Sequence, residues 1–268
     1  MALQFDHFVH LTPDPTKAAE AFQKLGLHAV QGGRHENLGT YNTLSYFDLS
    51  YVELIGIFDE ALVKEAGSVK YSLRDTFIEN NLQSGPQRIA LRSDNLQELA
   101  EHFKAQGLEV NGPTDFSRTR PDGTLVTWKL LFAGKPDESL HLPFFIEWDE
   151  KDHERREDLT ARGVIAPHEL GDIQVDGAAF AVRNVEETVA LWSTLFQLEK
   201  GASYIDEEWN SKVQRLSLQG GDIVLYEPLG EGVVADVLEA GGERLFALQF
   251  KGATQKVEEI TNALYRFV

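Results

Sequence analysis

The chain has 268 residues, with 25 Lys and Arg against 43 Asp and Glu, a formal net charge of -18. Such a surface repels a phosphate backbone and argues against nucleic-acid binding, while 42% hydrophobic residues suffice for a folded core. No cysteine is present, which excludes disulfides, thiolate ligands and a cysteine nucleophile. The opening MALQFDHFVHLTPD carries neither a basic leader nor the apolar run of a signal peptide, and no stretch of about 20 apolar residues occurs. The expectation is a cytoplasmic protein with no membrane partner.

Phe5 to Leu11 reads as a strand, and Asp14-Pro15-Thr16 starts a helix with Ala18, Ala19, Phe22 and Leu25 on one face and Gly26 at its end. Strands are predicted at Leu27 to Val30, Thr43 to Phe47 and Tyr51 to Ile57, which makes a β-α-β-β-β unit. Glu60 to Asn81 is helical or irregular. Pro86 to Leu91 then reads as a strand and Ser93 to Gln106 as a helix with Leu96, Leu99, Ala100 and Phe103 at helical spacing. Extended runs near Leu108 to Val110, Leu125 to Phe132 and Leu142 to Trp148 complete a second unit, with a turn at Pro121-Asp122-Gly123.

Asp149 to Arg162 is densely charged and predicts an exposed helix or linker. A third unit follows: a strand through Ala178 to Val182, a helix from Asn184 to Phe196, and strands near Val213 to Leu218 and Asp222 to Tyr226, turned at Gly220-Gly221. A short helix at Val233 to Glu239, a strand at Arg244 to Phe250 and a closing helix at Thr254 to Tyr265 read as a fourth unit cut short. Residues 1–148 are therefore expected to hold two modules, 149–171 a charged linker, and 172–268 a third module with a truncated fourth. Repeated units of this size pair to cover their sheets, because a lone four-stranded sheet leaves an apolar face open.

The run FDHFVHLTPD, the stretch LGLHAVQGGRHENLGTYN and the strand pair LSYFDLSYVELIGI resemble the glyoxalase-like domains of the vicinal oxygen chelate superfamily, which also contains bleomycin-resistance proteins and extradiol dioxygenases. The resemblance is closest over residues 5–57, extends to Trp148 through PFFIEW, and rests on the repeat pattern beyond residue 170. It implies an α+β fold of paired β-α-β-β-β modules whose curved mixed sheets surround the site. It also implies a divalent metal held by first and last strands, which places His7 and Glu53 as metal ligands and as the groups that carry the chemistry. The corresponding positions of the second module hold Arg88 and Phe144, or Phe145 at a one-residue slip, and those of the third hold Gly177 and Val224. An arginine cannot ligate a metal. Completion by His35, or by Glu147 after a register slip, would be needed, so the cofactor is either none or one divalent ion. Strand alternation points Glu147 to the other face.

His7 suits a metal ligand or general base, and His10, three residues on, faces the opposite side of its strand. Glu53 between Val52 and Leu54 would need a metal or a cation such as Arg88 if it faces inward. Arg34, His35, Thr40 and Asn42 in the Gly-rich loop, together with Arg88, Trp128 and Phe144, are the candidate ligand-binding residues; Arg118 and Arg120 could grip an oxygen-rich molecule. Phe144, Phe145 and Trp148 read as core or cleft wall. Three functions stay open: an enzyme acting on an acidic or vicinal-oxygen small molecule through His7 and Glu53, a non-catalytic protein that sequesters a drug or metabolite, and a structural protein whose second half mediates oligomerisation, including a homo-oligomer. The functional pocket is expected within residues 1–148.

Overall fold

In the computed structural model, which describes residues 2–120, 123–136, 138 and 140–268, two curved sheets carry the chain. The turn expected at Pro121 and Asp122 lies outside the described residues. The first sheet begins with β1 (Gln4–Leu11), α1 (Pro15–Lys24), β2 (Val30–His35), β3 (Thr40–Phe47) and β4 (Ser50–Ile57). Asp14 caps α1 by accepting from the amides of Thr16 and Lys17, a contact worth about 1 kcal/mol, with Pro15 in the first turn. Ala18, Ala19 and Phe22 are its buried face, as their spacing predicts.

After α2 (Glu60–Ala66) and α3 (Leu73–Glu79) the pattern repeats as β5 (Gly85–Arg92), α4 (Leu96–Ala105), β6 (Glu109–Thr119), β7 (Leu125–Gly134) and β8 (Phe144–Trp148). The cap of α4 is Asn95, which accepts from Glu98 N, and Ser93 lies two residues outside it. The strand order β2-β3-β4-β1-β5-β8-β7-β6 joins the two modules through the antiparallel pair β1 and β5. Phe8 pairs with Ile89 at the centre of that seam, while Val9 pairs with Glu53 on one side and Ala90 with Phe144 on the other. Arg88 and Phe144 thus stand in the second module where His7 and Glu53 stand in the first.

Beyond α5 (Asp152–Ala161), a second sheet holds β9 (Gln174–Ala181), β10 (Tyr204–Asp206), β11 (Ser211–Leu216), β12 (Asp222–Pro228), β13 (Arg244–Lys251), β14 (Lys256–Ile260) and β15 (Ala263–Phe267), in the order β10-β11-β12-β9-β13-β15-β14. The helix α6 (Val185–Phe196) covers it, and α7 (Val233–Gly241) precedes β13. Thr254 to Tyr265, expected as a helix, instead forms most of the β14–β15 hairpin. Thr261 and Asn262 both take positive φ, 48° and 64°, and Ile260 pairs with Ala263 across them. This two-residue turn with both centres left-handed matches strand twist and fixes the hairpin.

One apolar core, including Phe8, Phe22, Phe103, Phe180, Trp192 and Tyr265, lies between the sheets and their helices. The other face of the second sheet is filled: Trp209, Tyr226 and Phe246 pack together with Val234 and Leu238 of α7. The corresponding face of the first sheet is only partly covered, by Val63, Leu73 and Phe77 of α2 and α3. The space left beside that insert is a cleft on this face. Among the described residues no helix is long and apolar enough to cross a membrane.

Candidate functional site

The cleft opens on the concave face of the first sheet and contains about 680 Å3 of empty space, its mouth included. His7 comes from β1, His35 from the end of β2, Asn42 and Tyr46 from β3, Tyr51 and Glu53 from β4, and Phe144 from β8; Arg74 enters from α3 and Arg118 and Trp128 from the β6–β7 pair. All of these lie within residues 1–148.

Glu53 is 7% exposed. Its Oε1 accepts from Asn42 Nδ2 at 2.6 Å, and Asn42 Oδ1 in turn accepts from Gly33 N at 2.8 Å, which fixes the orientation of the amide. Gly32 makes this approach possible, because a Cβ there would stand 2.1 Å from Asn42 Oδ1. Burial pushes the Glu53 carboxyl up, but its interactions with the His7 and His35 imidazoles, the Asn42 hydrogen bond and the Arg74 guanidinium together outweigh it and hold the group below the usual range. Glu53 is therefore an anion at neutral pH.

His7 Nε2 lies 3.8 Å from Glu53 Oε2, and His7 Nδ1 lies 2.7 Å from Asp6 Oδ1. With Nδ1–H donating to Asp6, Nε2 is the nitrogen presented to Glu53. Simple alternation would turn Asp6 away from His7. The β1–β5 register shifts between Phe5 and His7, and this bulge at Asp6 lets neighbouring side chains meet. Asp6 also accepts from Trp148 Nε1 at 3.0 Å, with Arg155 Nη1 3.8 Å and Arg92 Nη1 4.0 Å away. Burial raises its pKa, but His7, Arg155 and Arg92 overcome that and leave it lowered. The His7 ring stacks on Tyr51 at 4.5 Å, and Tyr51 stacks on Tyr46 at 4.5 Å.

His35 Nδ1 is 3.0 Å from Thr40 Oγ1, which also accepts from Arg74 Nη2 at 3.1 Å. Burial drives His35 down to about 4, assisted by Arg74 and Arg118 against the pull of Glu53, so the ring is neutral. Arg74 Nε has no hydrogen-bond partner among the described residues. Burial also lowers the Arg74 pKa, with Glu53 opposing. The cleft thus brings together one carboxylate, two imidazoles and two guanidinium groups.

Several expectations for individual residues need correction. Arg88 does not meet Glu53: its Nη1 donates to Thr76 Oγ1 at 2.9 Å and Tyr71 O at 3.2 Å, so it holds the α3 insert, and Arg74 is the arginine beside Glu53. Arg34 lies in an outer groove continuous with the cleft, paired with Glu36 at 2.9 Å and placed over the Phe58 ring. Thr40 is fully buried beneath His35 and Arg74, where it positions them. Glu147 faces the other side of the sheet, where it accepts from Leu96 N at 2.7 Å and pairs with Lys129 at 2.9 Å; no register slip turns it inward. The charged segment after Trp148 is not wholly solvated, since Arg155 is buried with its guanidinium 4.1 Å above the Trp148 ring.

A divalent ion would find Nε2 of His7 and an oxygen of Glu53, with Asp6 behind the histidine in the arrangement common to metal-binding imidazoles. No third ligand joins them: among the described residues no group of three His, Asp or Glu could hold a metal. Phe144 occupies the Glu53-equivalent position and Arg74 adds positive charge. The expected ligand set of His7 and Glu53 completed by His35 or Glu147 is not assembled, and these residues do not fit a tightly held divalent ion.

Asp6, Tyr46, Tyr51 and Arg74 were absent from the expected site. Arg74 could have been found from the capping pattern of Ser72 and Asp75, which marks α3 as an ordered helix rather than a loop.

Comparison with known proteins agrees with the fold. The profile of the family described as Glyoxalase-like domain matches residues 5–196. A hypothetical protein from Staphylococcus aureus superposes with a TM-score of 0.80 at 20% identity, covering 99% of each chain. A triple mutant of 4-hydroxymandelate synthase from Streptomyces coelicolor gives a TM-score of 0.57 at 14% identity, covering 94% of this chain and 72% of that one. These likenesses establish the curved, paired-module fold. A search of the curated proteins finds no match.

Proposed function

Given that the chain belongs to the glyoxalase-like domain family, we propose that the cleft binds a small acidic molecule with vicinal oxygens and moves a proton on it through His7 and Glu53. The observation that carries this reading is the line Asp6, His7, Glu53: two carboxylates flank one imidazole, and His7 and Glu53 line the cleft. In this reading the pair takes a proton from the carbon next to a carbonyl and returns it to a neighbouring atom. Arg74 and Arg118 receive the substrate's acidic group and the negative charge that develops on its oxygens. Leu44, Leu130 and Ile146 line the cleft and keep water from the exchanging proton.

The test is incubation with 2-hydroxy and 2-oxo acids in D2O, with binding followed by calorimetry and exchange of the carbon-bound hydrogen by proton NMR. Saturable binding and exchange are expected. His7→Gln and Glu53→Gln should each slow exchange by about 100-fold or more. Because the reading routes the proton through protein groups, treatment with EDTA should leave the rate unchanged. Binding without exchange would replace this reading with sequestration, and absence of any binding would overturn both.

A further inference from the structure

Trp148, Trp128 and Phe116 stand directly opposite one another on three adjacent strands, because Trp128 of β7 pairs with Trp148 of β8 on one side and with Phe116 of β6 on the other. Residues in register across neighbouring strands share a face, so the three rings form one row. The Trp148 and Trp128 centroids are 5.7 Å apart, and Trp128 and Phe116 lie nearly parallel, 14° between planes, with centroids at 6.3 Å. All three line the cleft, and each is only partly buried.

The row has a direction. Trp148 begins it beside the His7 and Glu53 pair, since its Nε1 donates to Asp6, the partner of His7. Trp148 lines only the cleft, whereas Trp128 and Phe116 also line the outer groove, so the row leads from the reacting groups to the mouth. On its flanks the wall is aliphatic, with Val126 and Leu130 two residues from Trp128 along β7 and Ile146 two residues from Trp148 along β8. An aliphatic wall serves any apolar tail. A row of ring faces within an aliphatic wall favours a flat π-system, which gains stacking beyond what its buried area supplies.

We propose that the substrate of the cleft is an aryl-substituted acid whose ring lies against Trp128, with Trp148 on its inner side and Phe116 on its outer side. The acid in this inference rests on the proton-transfer reading; the place of the ring rests on the row itself. A ring held there directs the acidic end inward, toward His7, Glu53 and Arg74.

The test titrates the 15N-labelled chain with two pairs of probes that differ only in the ring: 3-phenyllactate against 3-cyclohexyllactate, and benzyl alcohol against cyclohexylmethanol. Binding is followed through the indole N–H resonances, assigned through bonds. Saturable movement of the Trp128 resonance is expected, with each aromatic probe binding at least about threefold more tightly than its saturated counterpart. Trp128→Leu, which keeps an apolar wall and loses the flat face, should bring both preferences to about one. The wild-type comparison decides the matter even if Trp128→Leu does not fold. Equal affinities within a pair that binds, no binding by any probe, shifts confined to the other indoles, or a preference that survives in Trp128→Leu overturns the proposal. If the aromatic preference holds but phenyllactate binds no better than benzyl alcohol, the ring site stands and the acid-binding reading falls.

Discussion

Among the groups that keep Glu53 ionised, Asn42 is the one that donates a hydrogen bond to it. Asn42 simultaneously accepts from the Gly33 amide, so Asn42→Asp would leave that backbone contact in place and set a second carboxylate against Glu53. At pH 7 this should destabilise the fold by about 2 kcal/mol, the usual scale for a buried polar group facing the wrong partner. The penalty should shrink toward pH 5, because one of the two carboxyls then takes up a proton. Urea denaturation of the variant at both pH values checks it; an unchanged penalty would mean that Glu53 is not ionised. Of this residue-level arrangement, His7, His35, Asn42, Glu53, Trp128 and Phe144 were legible in the sequence as a set that meets at one cleft. Asp6 was not, because alternation along β1 turns it away from His7 and the bulge that reverses this depends on pairing with β5. Arg88 was misassigned for a related reason: its position along β5 matches that of His7, but the α3 insert captures its side chain.

At the scale of the element, α5 shows how a charged segment becomes part of a site. Arg156 pairs with Asp48 at the surface at 2.6 Å, whereas Asp152 reaches the buried Arg92 at 3.1 Å and Asp158 the largely buried Arg120 at 2.9 Å. Its inward side chains are Arg155, over Trp148 and near Asp6, and Leu159, against the cluster of Leu44, Tyr46 and Tyr51. Arg156→Ala removes an exposed pair and should cost less than about 1 kcal/mol. Arg155→Ala removes a buried cation from both an aromatic face and a buried carboxylate, and should cost about 2–3 kcal/mol. Denaturation followed by tryptophan fluorescence distinguishes the two, and equal effects would show that α5 is only a tether. The composition of α5 concealed this role, since ten residues dominated by charge read as solvated; the i, i+4 spacing of Arg155 and Leu159 was the available signal. The β14–β15 hairpin was concealed differently. Ile260 and Leu264 have helical spacing, and the deciding turn uses Thr261 and Asn262 where Asn-Gly would have announced it.

Across the whole molecule, the two sheets share an apolar core, and a buried histidine of the first sheet makes polar contacts with the second. His10 Nε2–H donates to Thr261 O at 3.1 Å, and Nδ1 accepts from Tyr265 O–H at 2.7 Å, so β1 is tied to the β14–β15 hairpin more than 250 positions away in sequence. Both ring nitrogens are used by the neutral tautomer, and burial drives His10 down to about 4. In an unfolded chain the same group titrates near 6.5. Folding therefore excludes a proton between these values: the contribution is complete above about pH 6.5 and is lost as pH falls toward 4, at up to about 1.4 kcal/mol per pH unit and about 3 kcal/mol in all. His35 and His141, also driven down to about 4, act in the same direction in the wild type and in any His10 variant. His10→Gln retains an acceptor and a donor but cannot titrate. Its denaturation free energy should fall less steeply between pH 6.5 and 4, by a difference of about one proton, even if its stability at pH 7 is lower. Parallel slopes would show that the contact between the halves opens before His10 is protonated, and the two sheets would then be separable units rather than one cooperative fold.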